Sequence, residues 1–359
     1  QNKIGSIVAI EPETGEILCM VSSPSYDPAL LTGRDRGENH NKLLKDKKKP
    51  LLNRAIMGQY PPGSTFKTSQ AALFLEEGII NAYTKYSCKN GYITKNLRIG
   101  CHSHTSPTSL RNAIATSCNA YFCYALEDMF KNKRYADKKE AMNIWRDYMV
   151  SMGFGYRLGV DLPGEARGMI PNAEYYTDKY GKSWQASTVA SISIGQGEVL
   201  LTPLQIANLG AIIANRGTYI TPHMVKEIEN DTLPDKFLTP QQTMVSEKTY
   251  EEVIKGMRYA VTKGTCVGAE IPGLNVCGKT GTAENRGDDH SVFLGFAPMK
   301  KPKIAISVYV ENGGFGKDYA VPIGALMIEK YINGELSEES KEKAKAMSKK
   351  RIYYGKEER

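Results

Sequence analysis

No stretch of this 359-residue chain approaches the roughly 18 to 20 consecutive apolar residues of a membrane-crossing helix. Nor does it open on a methionine. Gln1 leads into a segment that already reads as strand, as expected of a piece of a longer protein whose anchor or export signal lies in the missing part. Also absent is a stripe of Lys and Arg interleaved with aromatics, which argues against a nucleic-acid reader. The 47 Lys and Arg against 39 Asp and Glu leave +8, scattered apart from the stretch over residues 341–359, and read as a solvated basic surface. There is no internal repeat, and 41% hydrophobic residues are enough for a sizeable core. Finally, an even set of cysteines is lacking. The seven, Cys19, Cys88, Cys101, Cys118, Cys123, Cys266 and Cys277, cannot all pair within the chain, so at least one sulfur serves another purpose.

What is present predicts an α/β chain of the α+β type. Ser6-Ile7-Val8-Ala9-Ile10, a turn at Glu13-Thr14-Gly15, and Ile17-Leu18-Cys19-Met20-Val21 read as a β-hairpin. The polar, Lys-rich residues 31–49 read as a loop. Tyr60-Pro61-Pro62-Gly63 then gives a sharp entry into a helix over residues 64–77. Helical signals dominate residues 109–217, most clearly where Thr202-Pro203 supplies a cap and first position and Gly217 follows the end. Strand patterns return at 279–283, 290–296 and 304–310, and 321–331 reads as a closing helix with Ile323, Leu326 and Met327 on one face. Strands at both ends with helices between predict one antiparallel sheet assembled from distant segments. The domain is expected over residues 1–333, with sheet parts at about 1–28 and 250–333 and a mainly helical part at about 50–245. Residues 334–359 are a charged tail, read equally as a solvated helix, a frayed end or disorder.

Three short patterns carry chemistry. Ser64-Thr65-Phe66-Lys67 opens a helix, where residues three apart share a face, so the Lys67 amine is within reach of the Ser64 hydroxyl. A serine nucleophile needs a base, and a lysine serves only when burial or positive charge pulls its pKa down; the positive end of a helix supplies some of that charge. Ser117-Cys118-Asn119 lies in a helical stretch over 110–124 and offers a proton-relaying hydroxyl beside an amide that can hold a carbonyl. Gly278-Lys279-Thr280-Gly281-Thr282 reads as strand, with a lysine and two hydroxyls able to grip a carboxylate and Gly281 letting a ligand backbone approach. Each alone is also explained blandly, as an N-cap with a surface lysine, a polar helix turn, and a turn between strands.

Occurring in this order, the three resemble the penicillin-binding protein and serine β-lactamase superfamily. Residues 15–28, Asn53-Arg54-Ala55, Tyr60 to Lys67, Gly195-Gln196-Gly197 with Thr202-Pro203, and Gly295-Phe296-Ala297-Pro298 are similar to class B transpeptidases, over nearly all of the chain to about Asn333. Within that class, Tyr60-Pro61-Pro62-Gly63-Ser64 and Cys118 resemble the elongation-specific penicillin-binding protein 2 group. The resemblance implies a transpeptidase fold with a helical subdomain and acyl transfer on stem peptides ending in D-Ala-D-Ala. Ser64 is then the nucleophile, Lys67 its base and Ser117 the proton relay. Asn119 orients the donor, Lys279, Thr280, Gly281 and Thr282 form the carboxylate-binding strand, and the N–H groups of Ser64 and Thr282 form an oxyanion hole. It further implies inactivation by β-lactams, no organic cofactor, a role in cell elongation and shape, and a periplasmic domain held at the bacterial inner membrane. A membrane-bound glycosyltransferase and shape-determining proteins are the implied partners. A D,D-carboxypeptidase or serine β-lactamase and a β-lactam sensor share the three patterns; the class B signatures argue against them.

Cys88, Cys101, His104 and Cys118 form a Cys-x12-Cys-x2-His-x13-Cys series, which suits a closed, structural zinc site. Members of the group resembled carry zinc beside the second motif with carboxylates at some positions, so Cys88 and Cys101 depart from that pattern. A Cys88–Cys101 disulfide and buried reduced thiols are the competing readings, and His102 competes with His104. His290 reads as structural, Tyr121, Phe122 and Tyr124 as helix packing, and Trp145 and Trp184 carry no readable role.

Overall fold

The computed structural model describes residues 2–95 and 97–354. In chain order the elements used below are strands β1 (Gly5–Ile10) and β2 (Ile17–Ser23), helices α1 (Arg36–Lys45) and α2 (Lys67–Glu76), and a small hairpin of β3 (Gly91–Ile93) and β4 (Arg98–Gly100). Helices α3 (Leu110–Ala115), α4 (Asn119–Lys131), α5 (Pro203–Ala214) and α6 (Glu247–Lys263) follow. Strands β5 (Cys277–Ala283), β6 (His290–Ala297) and β7 (Ile304–Val310) precede α7 (Ala320–Asn333) and α8 (Glu338–Lys349).

The two chain ends build one five-stranded sheet in the order β2-β1-β7-β6-β5, every pairing antiparallel. Its alternating side chains divide between two cores, as a period of two dictates. Val8, Leu294, Phe296, Ala305 and Tyr309 face the helical part, while Ala9, Phe293, Ile306 and Val308 face α6 and α7. Helix α5 is buried along its whole length, and a capping box between Thr202 and Gln205 fixes where it starts. Gln205 also ties three loop carbonyls, Gly153, Tyr156 and Arg167, to that helix.

Three expectations need correction. Residues 31–49 are not all loop: α1 forms there with no buried residue, supported on its surface by Lys42–Glu38 at 2.8 Å. The helical stretch over 110–124 is two helices, because Ser117 has φ +59 and Cys118 caps a new start. The buried face of α7 is Val321, Gly324, Ala325 and Ile328; Ile323 and Met327 only flank the core. A Cβ on Gly324 would lie 2.4 Å from Phe293, so the helix approaches the sheet along its smallest residues. Of the readings left open for the tail, the helix is the one that forms, as α8; residues 355–359 lie outside the described residues. Ser337 caps α8, the Tyr354 hydroxyl accepts the Ile4 N–H at 2.7 Å, and Ile352 is buried in the outer core.

Candidate active site and thiol cluster

The turn that carries Ser64 is built by close approach. Residues Gly63–Phe66 form a 3-10 turn that runs directly into α2, leaving Ser64 half-buried and Lys67 fully buried. Gly63 has φ +55, and a Cβ there would meet Thr282 O at 2.6 Å, so only glycine lets this turn lie on β5. Gly281 meets it from the other side: a Cβ would lie 3.1 Å from Pro62 O and Thr65. The Ser64 turn thus makes a close approach to β5 at Gly281 as well. Behind the turn, Arg54 and Glu311 pair at 2.8 Å, and the Tyr60 hydroxyl donates to the same Glu311 oxygen at 2.8 Å. Tyr60 stacks on Tyr309, whose hydroxyl donates to Pro61 O at 3.2 Å.

The three patterns converge. The Lys67 amine donates to Ser117 O at 2.7 Å, Asn119 Oδ1 at 2.5 Å and Ser117 Oγ at 3.2 Å. The Lys279 amine reaches the same Ser117 hydroxyl at 2.9 Å and Thr280 O at 3.0 Å. Lys67 thus faces the second motif, and none of its described hydrogen bonds goes to Ser64. Burial lowers the Lys67 pKa to about 8; burial first, then the neighbouring Lys67 charge, lowers that of Lys279 to about 7. Ser117 holds its left-handed backbone conformation, unfavourable for a residue with a Cβ, at the point where both lysines converge.

Sequence reasoning missed three contributors. Thr265 Oγ1 lies 2.7 Å from Thr280 Oγ1 and its N–H donates to Ala115 O at 3.0 Å, placing a further hydroxyl between the second and third motifs. Gln196 Nε2 donates to Thr282 O at 3.4 Å. Trp145 donates to Gln70 Oε1 at 2.8 Å and packs on Phe66, anchoring α2. Gly195-Gln196-Gly197 was a visible signal for Gln196; nothing local marked Thr265 or Trp145.

Beside this cleft, the ligand atoms of Cys88, Cys101, His104 and Cys118 lie within 4.8 Å of one another. All seven cysteines, Cys88 and Cys101 among them, are free in this structure. His102 lies outside the group. Cys101 follows the β3–β4 hairpin and sits at the start of α4, where its Sγ accepts the N–H groups of Asn119 at 3.1 Å and Ala120 at 3.3 Å. A hydrogen bond from Cys118, with the Ala120 N–H behind it, holds the Cys101 thiol well below its usual pKa, while Cys118 is raised. His104 Nδ1–H donates to Thr105 O at 2.9 Å, which leaves Nε2 as the lone-pair nitrogen, buried and without a partner among the described residues. Cys101 and Cys118 sulfurs are 3.9 Å apart, close to the about 3.8 Å expected between two sulfurs on one tetrahedral zinc.

A family model described as the penicillin binding protein transpeptidase domain matches residues 5–329. The chain is 36% identical over 337 residues to the peptidoglycan D,D-transpeptidase MrdA of Acinetobacter baumannii, covering 87% of this chain and 48% of that protein. It superposes on the crystal structure of PBP2 from Pseudomonas aeruginosa, in complex with WCK 5153, with a TM-score of 0.82 and 31% identity, over 94% of this chain and 74% of that one. PBP2 of Helicobacter pylori, solved in complex with MreC, gives 0.77 and 26% over 93% and 61%. The chain spans about half the length of the curated relative it matches.

Proposed function

The chain belongs to the penicillin-binding protein transpeptidase family, and on that footing we propose that it is a serine D,D-transpeptidase acting on peptidoglycan stem peptides. The observation that carries this reading is the meeting of Lys67 and Lys279 on one hydroxyl, Ser117, at 3.2 and 2.9 Å beside the Ser64 turn.

Ser64 Oγ attacks the carbonyl of the penultimate D-Ala, and Lys67 takes its proton. With a pKa of about 8, roughly one Lys67 in ten is neutral at pH 7 and has a lone pair to offer. Ser117, bridged between the two amines, delivers a proton to the departing amine of the terminal D-Ala. Lys279, Thr280 and Thr282 hold the terminal carboxylate, joined by Thr265 through its contact with Thr280. Asn119 orients the donor peptide, and the N–H groups of Ser64 and Thr282 stabilise the oxyanion. An acceptor amine then attacks the ester. A β-lactam enters the same way, but its leaving nitrogen stays tethered, so Ser64 remains acylated.

Cys88, Cys101, His104 and Cys118 suit a structural zinc ion, which when bound ties the start of α4 to the β3–β4 hairpin. The unpartnered His104 Nε2 and the N–H donors on Cys101 support this assignment. In the cell, an anchor outside this chain holds the domain at the inner membrane, facing the periplasm, where it serves elongation and cell shape with a membrane-bound glycosyltransferase and shape-determining proteins. The likeness to MrdA and to the PBP2 solved with MreC supports that placement. Intact-mass spectrometry with a penicillin tests the chemistry: a stoichiometric, long-lived adduct on the wild type and none on Ser64→Ala is expected, and no adduct on folded wild type overturns it.

A further inference from the structure

Two rings meet above this cleft, one from each wall. His102 directly follows Cys101, whose sulfur holds the N–H groups of Asn119 and Ala120, and Gly100 O accepts the Asn119 amide at 2.7 Å. The His102 ring is therefore mounted on the wall that carries Ser117 and Asn119. Phe315 belongs to the opposite wall. Its carbonyl accepts the Ser291 hydroxyl at 2.9 Å, and Ser291 pairs with Thr282 across β6 and β5. The next residue, Gly316, lies so close to β5 that a Cβ there would come within 2.8 Å of Gly281 O and 3.0 Å of Thr280 Cβ.

The two rings stand edge to face, with centroids 5.6 Å apart and planes at 75°. Neither belongs to a core: His102 is exposed and Phe315 is 46% exposed, with Lys317 Nζ also 5.7 Å from its ring. The walls thus touch at two levels. The inner contact is the buried lysine of Lys279–Ser117, and the outer is this aromatic pair.

We propose that His102 and Phe315 form a clasp over the cleft that parts to admit the donor and selects against bulky groups beside the reacting carbonyl. The proposal rests on the reading of Ser64 as nucleophile. Its two halves differ in stiffness. His102 sits between Cys101 and His104, both in the thiol cluster, whereas Phe315 rides on Gly313-Gly314-Phe315-Gly316, where Gly314 has φ +70. Opening therefore swings the half-exposed Phe315 side chain, on a backbone held by Ser291 and Asp318, and leaves His102 in place. One edge-to-face contact shifts an opening equilibrium by about two- to tenfold, enough to discriminate between substrates that need the clasp open and those that pass beneath it.

The test compares acylation by 6-aminopenicillanic acid, which has no acyl side chain, with acylation by nafcillin, whose side chain is a large aromatic group, followed by intact mass. Phe315→Ala is expected to raise the second-order rate for nafcillin by about two- to tenfold and that for 6-aminopenicillanic acid by less than about twofold. His102→Ala should act alike, and the double variant should exceed neither single, because each removes the same contact. An equal change for both compounds, no change, or additive effects overturns the clasp. Proton NMR of the His102 ring supplies a readout that does not need acylation: a ring-current shift present in the wild type and lost in Phe315→Ala is expected, and its absence from the wild type overturns the pairing. A wild type that keeps this shift but is never acylated refutes the nucleophile assignment instead.

Discussion

The proposed catalytic cleft and the thiol cluster meet at one place, the start of α4, yet are assembled in opposite ways. The cluster draws its ligands from residues 88 to 118, a single stretch of chain folded around one hairpin. The cleft draws on Ser64, Ser117 and Lys279, which come together only once the sheet has closed from both chain ends. Cys118 caps the helix whose first residue, Asn119, accepts from Lys67, so the local site positions part of the long-range one. Short loops close at small entropic cost, which suits a cluster that stiffens a wall; burial of two lysines requires the whole fold.

Four perturbations test whether the two regions are coupled. The largest effect is expected from Lys67→Gln, which removes the proposed base while leaving the cluster intact: acylation by penicillin should fall by about 10²- to 10⁴-fold with unchanged thermal stability of the outer core. Rates from intact mass, set beside a melting curve, check it.

Arg54→Met should come next. It leaves Glu311 without its ion-pair partner behind the Ser64 turn and should cost about 3 kcal/mol in denaturant unfolding. A loss under about 1 kcal/mol would show that the turn does not depend on this pair.

Cys101→Ser sharpens the comparison most directly, since Cys101 has no assigned part in the chemistry and reaches the cleft only through the Asn119 N–H that its sulfur accepts at 3.1 Å. Acylation should drop by about 10- to 100-fold, with bound zinc lost from the native mass spectrum. Loss of zinc with an unchanged rate would mean that the cluster and the cleft are independent.

The smallest effect is in pH. The proposed base is the neutral form of Lys67, whose pKa burial lowers to about 8, so the share of neutral amine climbs about tenfold per unit below that value and levels above it. Lys279, lowered to about 7 by burial and by Lys67, loses its charge over the same range, so its hold on the carboxylate weakens as pH rises. The second-order rate should therefore peak between about pH 7 and 8, and a rate that is flat from pH 6 to 9 removes Lys67 as the base.

Much of the fold was legible locally. The hairpin of β1 and β2, the capped start of α5 and the three late strands all follow from alternation, caps and turn residues that act over a few positions. The break at Ser117 was not, because its positive φ is held by contacts to Lys67 and Lys279 rather than by any local breaker residue. Nor was the buried face of α7, where Gly324 and Ala325 carry little hydrophobic signal but allow the closest packing. The choice between His102 and His104 likewise needed three dimensions: both lie near Cys101, and only the fold turns one ring into the thiols and the other toward Phe315.

The sequence by itself determined which chemical groups are available and in what order: a serine with a lysine one helical turn on, a hydroxyl beside an amide, a lysine with two hydroxyls on a strand, and soft ligands at short spacing. Those are properties of residue type and local periodicity. Only the tertiary structure decided that both lysines are buried and lose affinity for their protons, that they share the Ser117 hydroxyl, that Thr265 joins Thr280, and that two rings meet across the opening. Burial and convergence depend on segments far apart in the chain, and no local pattern encodes them.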